Sequence, residues 1–386
     1  MANVNPYGWI DSALSTIHRA GWYRQTRLIE SLHENTVTIN GKTLINFASN
    51  NYLGLATDWR VKQGAIQAIE QYGVGATSSR LVVGNYELHR QLETQISAWK
   101  GTVSTLVFSS GYMTNVGVIP ALVGSRDVVF SDRYNHACLK NGIKLSGAFL
   151  LEYDHINYQH LAQLLQEHRQ NYRRSIIITD TVFSMDGDIA PIREIMNLAT
   201  EFNSMVLVDE AHGVGVFGAT GAGVIEALGI TTPLIQMGTL SKAIGSLGGY
   251  VTGDFPLITY LQNRASTWIY STGLSLGDTG AALASIDIIQ RQPELRERLW
   301  QNCFLLGKIL GMTITSPIVP IICPTIDRAI FLSQELQNQG FLVPAIRPPT
   351  VPTPRLRISL MASHTPDQIY QLGELLNKLL QGDSFN

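Results

Sequence analysis

Charge is scarce in this chain and cysteine scarcer: 15% of its 386 residues are Asp, Glu, Lys or Arg, and three are cysteine. Cys138, Cys303 and Cys323 are scattered and odd in number. That pattern excludes a disulfide framework, fits a reducing compartment, and offers no spacing for a zinc or other metal site. The basic residues form no run and the formal net charge is −2, so neither a nucleic-acid surface nor a polybasic membrane patch is supported. No uncharged apolar stretch approaches the roughly 18 residues of a membrane span. The opening Met-Ala-Asn-Val-Asn-Pro-Tyr-Gly-Trp lacks a basic region followed by an apolar one. A cytoplasmic location, with no metal, nucleic-acid or membrane partner, is the expectation.

What the chain does have is apolar residues, 45% of the total, enough for one large α/β domain and a smaller one. Residues 11–34 mix apolar side chains with Arg19, Arg24 and Arg27, suiting an N-terminal helix on a larger body. Val37–Ile39 and Thr43–Ala48 around Asn40-Gly41 read as a hairpin. From Arg60 onward helical and apolar segments alternate. Strands are expected at 105–108, 127–130, 147–151, 175–179, 204–208 and 234–237, and helices at 60–72, 86–100, 113–123, 136–145, 158–169 and 192–202. Continuous apolar strands separated by helices imply a mostly parallel, doubly covered sheet, with ligands at the carboxyl ends of its strands. After the apolar stretch 276–289, helices near 295–310 and 329–339 alternate with strands at 318–322 and 355–360. The expected division is therefore 1–48 (helix and hairpin), 49–290 (large domain) and 291–386 (small α+β domain).

One stretch concentrates the chemistry: Gln236-Met-Gly-Thr-Leu-Ser-Lys242-Ala-Ile-Gly-Ser-Leu-Gly-Gly249. A lysine just past a buried strand is partly desolvated, which favours the neutral amine needed to attack a carbonyl. Small neighbours let a planar ring approach, and hydroxyls sit beside a possible phosphate. Other polar residues also fall just past strand ends: Gly111, Tyr112, His136, Ser184, Asp209, His212 and Thr239. An acid there can hold a heteroaromatic ring nitrogen protonated, and a histidine three residues on can bond the ring's oxygen. Taken singly, Asp209 reads equally as a helix cap, His136 and His212 as satisfied loop histidines, and Ser184 as a turn residue. Gly213-Val-Gly-Val-Phe-Gly218 matches the dinucleotide motif G-x-G-x-x-G, but its glycines open no apolar helix and no acid follows about 20 residues on.

Together, Ile176 to Gly187, Val208-Asp-Glu-Ala-His-Gly-Val-Gly215, Gly238-Thr-Leu-Ser-Lys242 and Ser109-Ser-Gly-Tyr112 resemble the α-oxoamine synthases, from about residue 20 to about 380. These are pyridoxal 5'-phosphate enzymes of the type I aminotransferase-like fold that condense an amino acid with an acyl thioester. Ala345-Ile-Arg-Pro-Pro-Thr-Val-Pro352 followed by Pro354-Arg-Leu-Arg-Ile-Ser359 is similar to the branch using L-alanine and pimeloyl thioester, on coenzyme A or a carrier protein, to make 8-amino-7-oxononanoate for biotin. A member using glycine, such as a glycine C-acetyltransferase, is the alternative. The resemblance implies that Lys242 holds the cofactor covalently and moves the Cα proton, that Asp209 meets the ring nitrogen, and that His136 stacks on the ring. His212 and Ser184 would lie at its 3-oxygen. Gly111, Tyr112 and Thr239 would hold the phosphate, with Ser271 and Thr272 of a second subunit in a homodimer. Arg347 would take the amino-acid carboxylate with Asn50 near it, and Thr350 and Arg24 would meet the acyl substrate.

Overall fold

The computed structural model describes residues 5–381. The last residues of the expected small domain, 382–386, and the opening residues 1–4, where no leader was expected, lie outside them. The chain divides into two compact units: the described part of Met1–Ala48 with Pro320–Ile358, and Ser49–Val319 with the described part of Ser359–Asn386. The expected boundary near Arg291 falls inside the second unit, between the helices Leu276–Arg291 and Glu294–Leu310. The latter packs there with the terminal helix Pro366–Gln381, where Asn377 donates to the Ile309 carbonyl at 2.9 Å. Among the described residues no helix is long and apolar enough to cross a membrane.

In the first unit the N-terminal helix is shorter than expected, Trp9–Arg19, and no residue on it is buried. Gly21, at φ +67°, follows its end, a glycine stop of the usual left-handed kind. Then come β1 (Ser31–His33), β2 (Thr36–Ile39) and β3 (Lys42–Asn46). Ile39 pairs with Lys42 across Asn40-Gly41, whose φ values of +51° and +71° are those of a primed two-residue turn. Phe341–Leu342 adds a parallel strand beside β3. Val37, Ile39, Leu44 and Leu342 form the small core of this sheet.

The second unit is built on seven strands: β4 (Ser104–Phe108), β5 (Val128–Asp132), β6 (Phe149–Tyr153), β7 (Ser175–Asp180), β8 (Met205–Asp209), β9 (Ile235–Thr239) and β10 (Gly249–Gly253). Their order is β4-β10-β9-β8-β7-β5-β6. Six strands run in one direction, and β10 alone is reversed, antiparallel to its neighbours β4 and β9. The sheet is thus mixed with mostly parallel strands. Leu106, Val129, Ile178, Leu207 and Val251 of the sheet pack with Val118, Leu139 and Trp268 of covering helices, all buried. Strand ends put Asp132, Asp180, Asp209 and Thr239 on one edge of this sheet, and that edge holds the site.

Candidate active site

A cavity of about 230 Å³ opens there, lined by Gly111, Tyr112, His136, Asp209, His212, Thr239 and Lys242 of the expected set, and also by Ser110, Cys138, Asp180 and Ser241. Lys242 lies three residues past β9. Its Nζ is 2.8 Å from His212 Nε2, His212 Nδ1 is 2.7 Å from Tyr52 Oη, and Tyr52 Oη donates to Asn50 Oδ1 at 3.3 Å. These contacts form one directed chain if each group passes on a single hydrogen: the lysine donates to histidine, histidine to tyrosine, tyrosine to amide.

Asp209, the last residue of β8, is 2% exposed. Its Oδ1 accepts the Ala211 N–H at 2.9 Å and its Oδ2 the Asn115 Nδ2 at 2.8 Å, so the carboxylate is fixed before any ligand arrives. Asp180 ends β7 directly beside it in the ladder. Burial, reinforced by the Asp209 charge, pushes the Asp180 carboxyl well above the usual carboxylate range, because two adjacent carboxylates resist ionising together. Asp180 Oδ2 accepts the His136 N–H at 2.8 Å.

His136 caps the helix Ala137–Ser146. Its Nδ1 accepts the Cys138 N–H at 3.2 Å, and Cys138 Sγ lies 2.8 Å from the same nitrogen. Burial pulls its pKa below the ordinary histidine value despite the Asp209 charge. The ring is therefore neutral, with its hydrogen on Nε2. Burial also raises the Cys138 thiol far from thiolate, and Asn115 Nδ2 donates to its sulfur at 3.2 Å. Asn115 thus ties Asp209 and the His136 support to one side chain.

At the other side of the cavity the helix Gly111–Leu122 begins, capped by Ser110, whose Oγ accepts the Met113 N–H at 3.2 Å. Its first N–H groups have no partner within the helix, and an anion is favoured there. A Cβ on Gly111 would come within 3.2 Å of Thr239 Cβ, and one on Gly249 within 2.5 Å of the Gly111 backbone, so the two strand ends close tightly under that anion position. Ser241 Oγ stands 2.8 Å from Thr239 Oγ1, which donates to the Gly248 carbonyl at 3.0 Å. A fixed carboxylate at one end, an anion cradle at the other and a lysine between them fit a flat ring bearing a basic nitrogen and a phosphate.

The remaining expected residues do not line this cavity. Ser184 is half-buried in the loop between β7 and the next helix, and Ser271 and Thr272 follow the short helix Ser266–Ile269, with Thr272 bridged to Ser79. Arg347, Thr350 and Arg24 belong to the other unit. There Arg347 Nη2 donates to the Tyr23 carbonyl at 3.0 Å, and the Thr350 N–H donates to the Arg347 carbonyl at 3.1 Å. Arg347 and Arg27, rather than Arg24, line a cavity of about 340 Å³ walled by Ile29, Ile39, Ile330 and Leu342.

Residues 42–376 match the model of the aminotransferase class I and II family. The chain is 53% identical over 378 residues to a protein of Gloeothece citriformis named as an 8-amino-7-oxononanoate synthase, covering 97% of this chain and all 100% of that one. A relative of the same name from Rippkaea orientalis is 52% identical, again over 97% of this chain and 100% of the relative. Among solved structures it resembles SPT with a PLP internal aldimine, at 29% identity and TM-score 0.92, covering 98% of this chain and 99% of that one. It also resembles the 8-amino-7-oxononanoate synthase of Francisella tularensis, at 29% identity and TM-score 0.76, over 89% and 99%. With the lysine, acid and anion cradle in place, the chain belongs to the class I and II aminotransferase family and, within it, to the α-oxoamine synthases, pyridoxal-phosphate-dependent acyltransferases.

Proposed function

We propose that the chain condenses L-alanine with a pimeloyl thioester, carried on coenzyme A or a carrier protein, releasing carbon dioxide and free thiol and giving 8-amino-7-oxononanoate for biotin synthesis. The observation that carries this reading is Lys242, held by His212 at 2.8 Å in the cavity that Asp209 also lines. The names of the relatives above 50% identity supply the substrate class. Bound pyridoxal phosphate supplies an electron sink for the bonds broken at the amino acid's Cα.

The rest is the work of this chain's residues. Lys242 carries the cofactor and then takes and returns the Cα proton, handing its spare hydrogen toward His212. Asp209 holds the ring nitrogen protonated, its oxygens already oriented by Ala211 and Asn115. Neutral His136 lies against the ring face, and His212 and Ser184 serve the 3-oxygen. The N–H groups of Gly111 and Tyr112 and the Thr239 hydroxyl bind the phosphate, joined by Ser271 and Thr272 of a second copy in a cytoplasmic homodimer. Arg347, with its forked guanidinium, takes the alanine carboxylate. Thr350 and an N-terminal arginine meet the acyl group, and the shared cavity of Arg27 and Arg347 supports Arg27 over Arg24 for its distal carboxylate.

A member preferring glycine is the competing reading, and serine palmitoyltransferase is a further member by its structural likeness, but at 29% identity against 53%. Exchange of the Cα hydrogen in deuterated water decides among the amino acids. Fast exchange of L-alanine, lost in Lys242→Ala, supports the proposal, and faster exchange of glycine or serine than of alanine overturns it.

A further inference from the structure

His155 lines no cavity described above, yet both of its ring nitrogens are committed to carboxylates. It follows β6, and its Nδ1 and Nε2 lie 2.9 Å from Asp132 Oδ1 and 2.9 Å from Asp188 Oδ2. Ionised carboxylates only accept hydrogen bonds, so both ring nitrogens must carry hydrogen and the ring is an imidazolium bridging two acids. Tyr134 lies against one face, with ring centroids 4.5 Å apart, and Phe183 meets it edge-on at 4.4 Å. Burial alone would lower its pKa, but the two carboxylate bonds outweigh burial and lift it to about 9. The neighbouring Asp154 carboxylate pairs instead with Arg133, and its N–H donates to His160 Nδ1, leaving Asp132 and Asp188 as the charges that face this ring.

The placement of those two acids is informative. Asp132 ends β5 four residues before His136, and it also accepts the N–H groups of Tyr134 and Ile156, each at 2.8 Å. It is the hub of the loop that delivers His136. Asp188 closes the loop bearing Ser184: its carbonyl accepts the Phe183 N–H at 3.0 Å, and the Gly187 N–H returns to the Phe183 carbonyl at 2.8 Å. Ile156, next to His155, has φ +49°, a left-handed conformation that β-branched residues rarely adopt and that persists only where the surroundings impose it. The strain is held by the same Asp132 carboxylate.

We propose that His155 is a positioning residue, whose doubly bonded imidazolium locks the His136 loop and the Ser184 loop to each other and so sets how the cofactor ring is gripped between them. The inference rests on the reading that His136 and Ser184 meet that ring. A neutral ring could donate to only one of the two acids, and one loop would be released.

The test is the rate at which holoenzyme loses pyridoxal phosphate on dilution, followed by visible absorbance, with the circular dichroism of the bound chromophore as a second readout. His155→Gln should release cofactor about tenfold faster, the equivalent of roughly one charge-assisted hydrogen bond, and should weaken the visible dichroism while far-ultraviolet dichroism is unchanged. Wild-type release should accelerate as pH rises through about 9, whereas the variant's rate, already fast at neutral pH, should change less. A His155→Gln protein that melts earlier yet releases cofactor at the wild-type rate with unchanged dichroism would overturn the proposal. Should that variant not fold, Asp188→Asn, at the more exposed acid, decides: faster release supports the inference and wild-type release rejects it. Wild-type protein that binds no cofactor through Lys242 would sink the underlying reading instead, a separate result.

Discussion

Two acids stand side by side at the ends of β7 and β8, and replacing each with asparagine should give opposite results. Burial and the charge of Asp209 raise the Asp180 carboxyl well above the usual carboxylate range, favouring its neutral form, and Asp180→Asn puts a neutral group of the same shape in its place. Its amide oxygen can still accept the His136 N–H, as Asp180 Oδ2 does at 2.8 Å. The expected cost in cofactor affinity is under about 1 kcal/mol, within a fewfold. Asp209→Asn removes the charge proposed above to pair with the ring nitrogen. It also turns an amide NH₂ toward Asn115 Nδ2 or the Ala211 N–H, which now donate to the carboxylate at 2.8 and 2.9 Å. One lost charge-assisted bond and one unsatisfied buried donor come to about 3 kcal/mol, on the order of a hundredfold weaker binding. Titration of cofactor-free protein with pyridoxal phosphate, read by visible absorbance, measures both. The linkage runs the same way: a raised acid pKa contributes stability below the unfolded value near 4 and loses it as pH rises, so Asp180→Asn should melt no lower than wild type at pH 8. Equal losses at the two positions, or a larger loss at Asp180, would refute this division of charge.

Other outcomes follow from single contacts. Lys100 and Glu210 form an ion pair with side chains 1% and 0% exposed; Lys100→Met strands the acid and should cost about 3–5 kcal/mol in urea unfolding. The His155 contribution is full below its unfolded value near 6.5 and is lost as pH rises through about 9, so the melting temperature should fall over that range in wild type and less in His155→Gln. Arg347→Lys should weaken L-alanine binding at least tenfold, because an ammonium cannot make the paired bonds of a guanidinium, while cofactor affinity holds. Equal losses of both in a binding titration would reject that role.

The parts of this molecule that were legible from sequence are those governed by local rules. Asn40-Gly41 announces its own turn, and the apolar runs of β5, β7 and β8 announce buried strands, the last residues of β7 and β8 lining the cavity. Lys242, His212 and Asp209 were readable because each lies within a few residues of such a strand end. β10 was missed: Gly249-Tyr-Val-Thr-Gly253 is short and bounded by glycines, and its antiparallel place between β4 and β9 depends on partners far along the chain. The N-terminal helix was overextended because apolar residues continue past Gly21 without a packed face to order them. Asp180 carried the same strand-end signal as Asp209 and could have been found. Tyr52 and Asn115 could not, since they reach His212 and Asp209 across 160 and 94 residues, and no spacing rule spans such distances. Arg24 was chosen from three arginines on one stretch, and only the folded chain places Arg27 beside Arg347.

The measurement that bears most directly on the proposed activity is release of free thiol from pimeloyl thioesters, on coenzyme A and on carrier protein, with L-alanine, glycine or L-serine as co-substrate. The account predicts rapid thiol release with L-alanine, matched mole for mole by carbon dioxide and abolished in Lys242→Ala. Faster release with glycine and acetyl-coenzyme A, or with serine and a long-chain thioester, would contradict it.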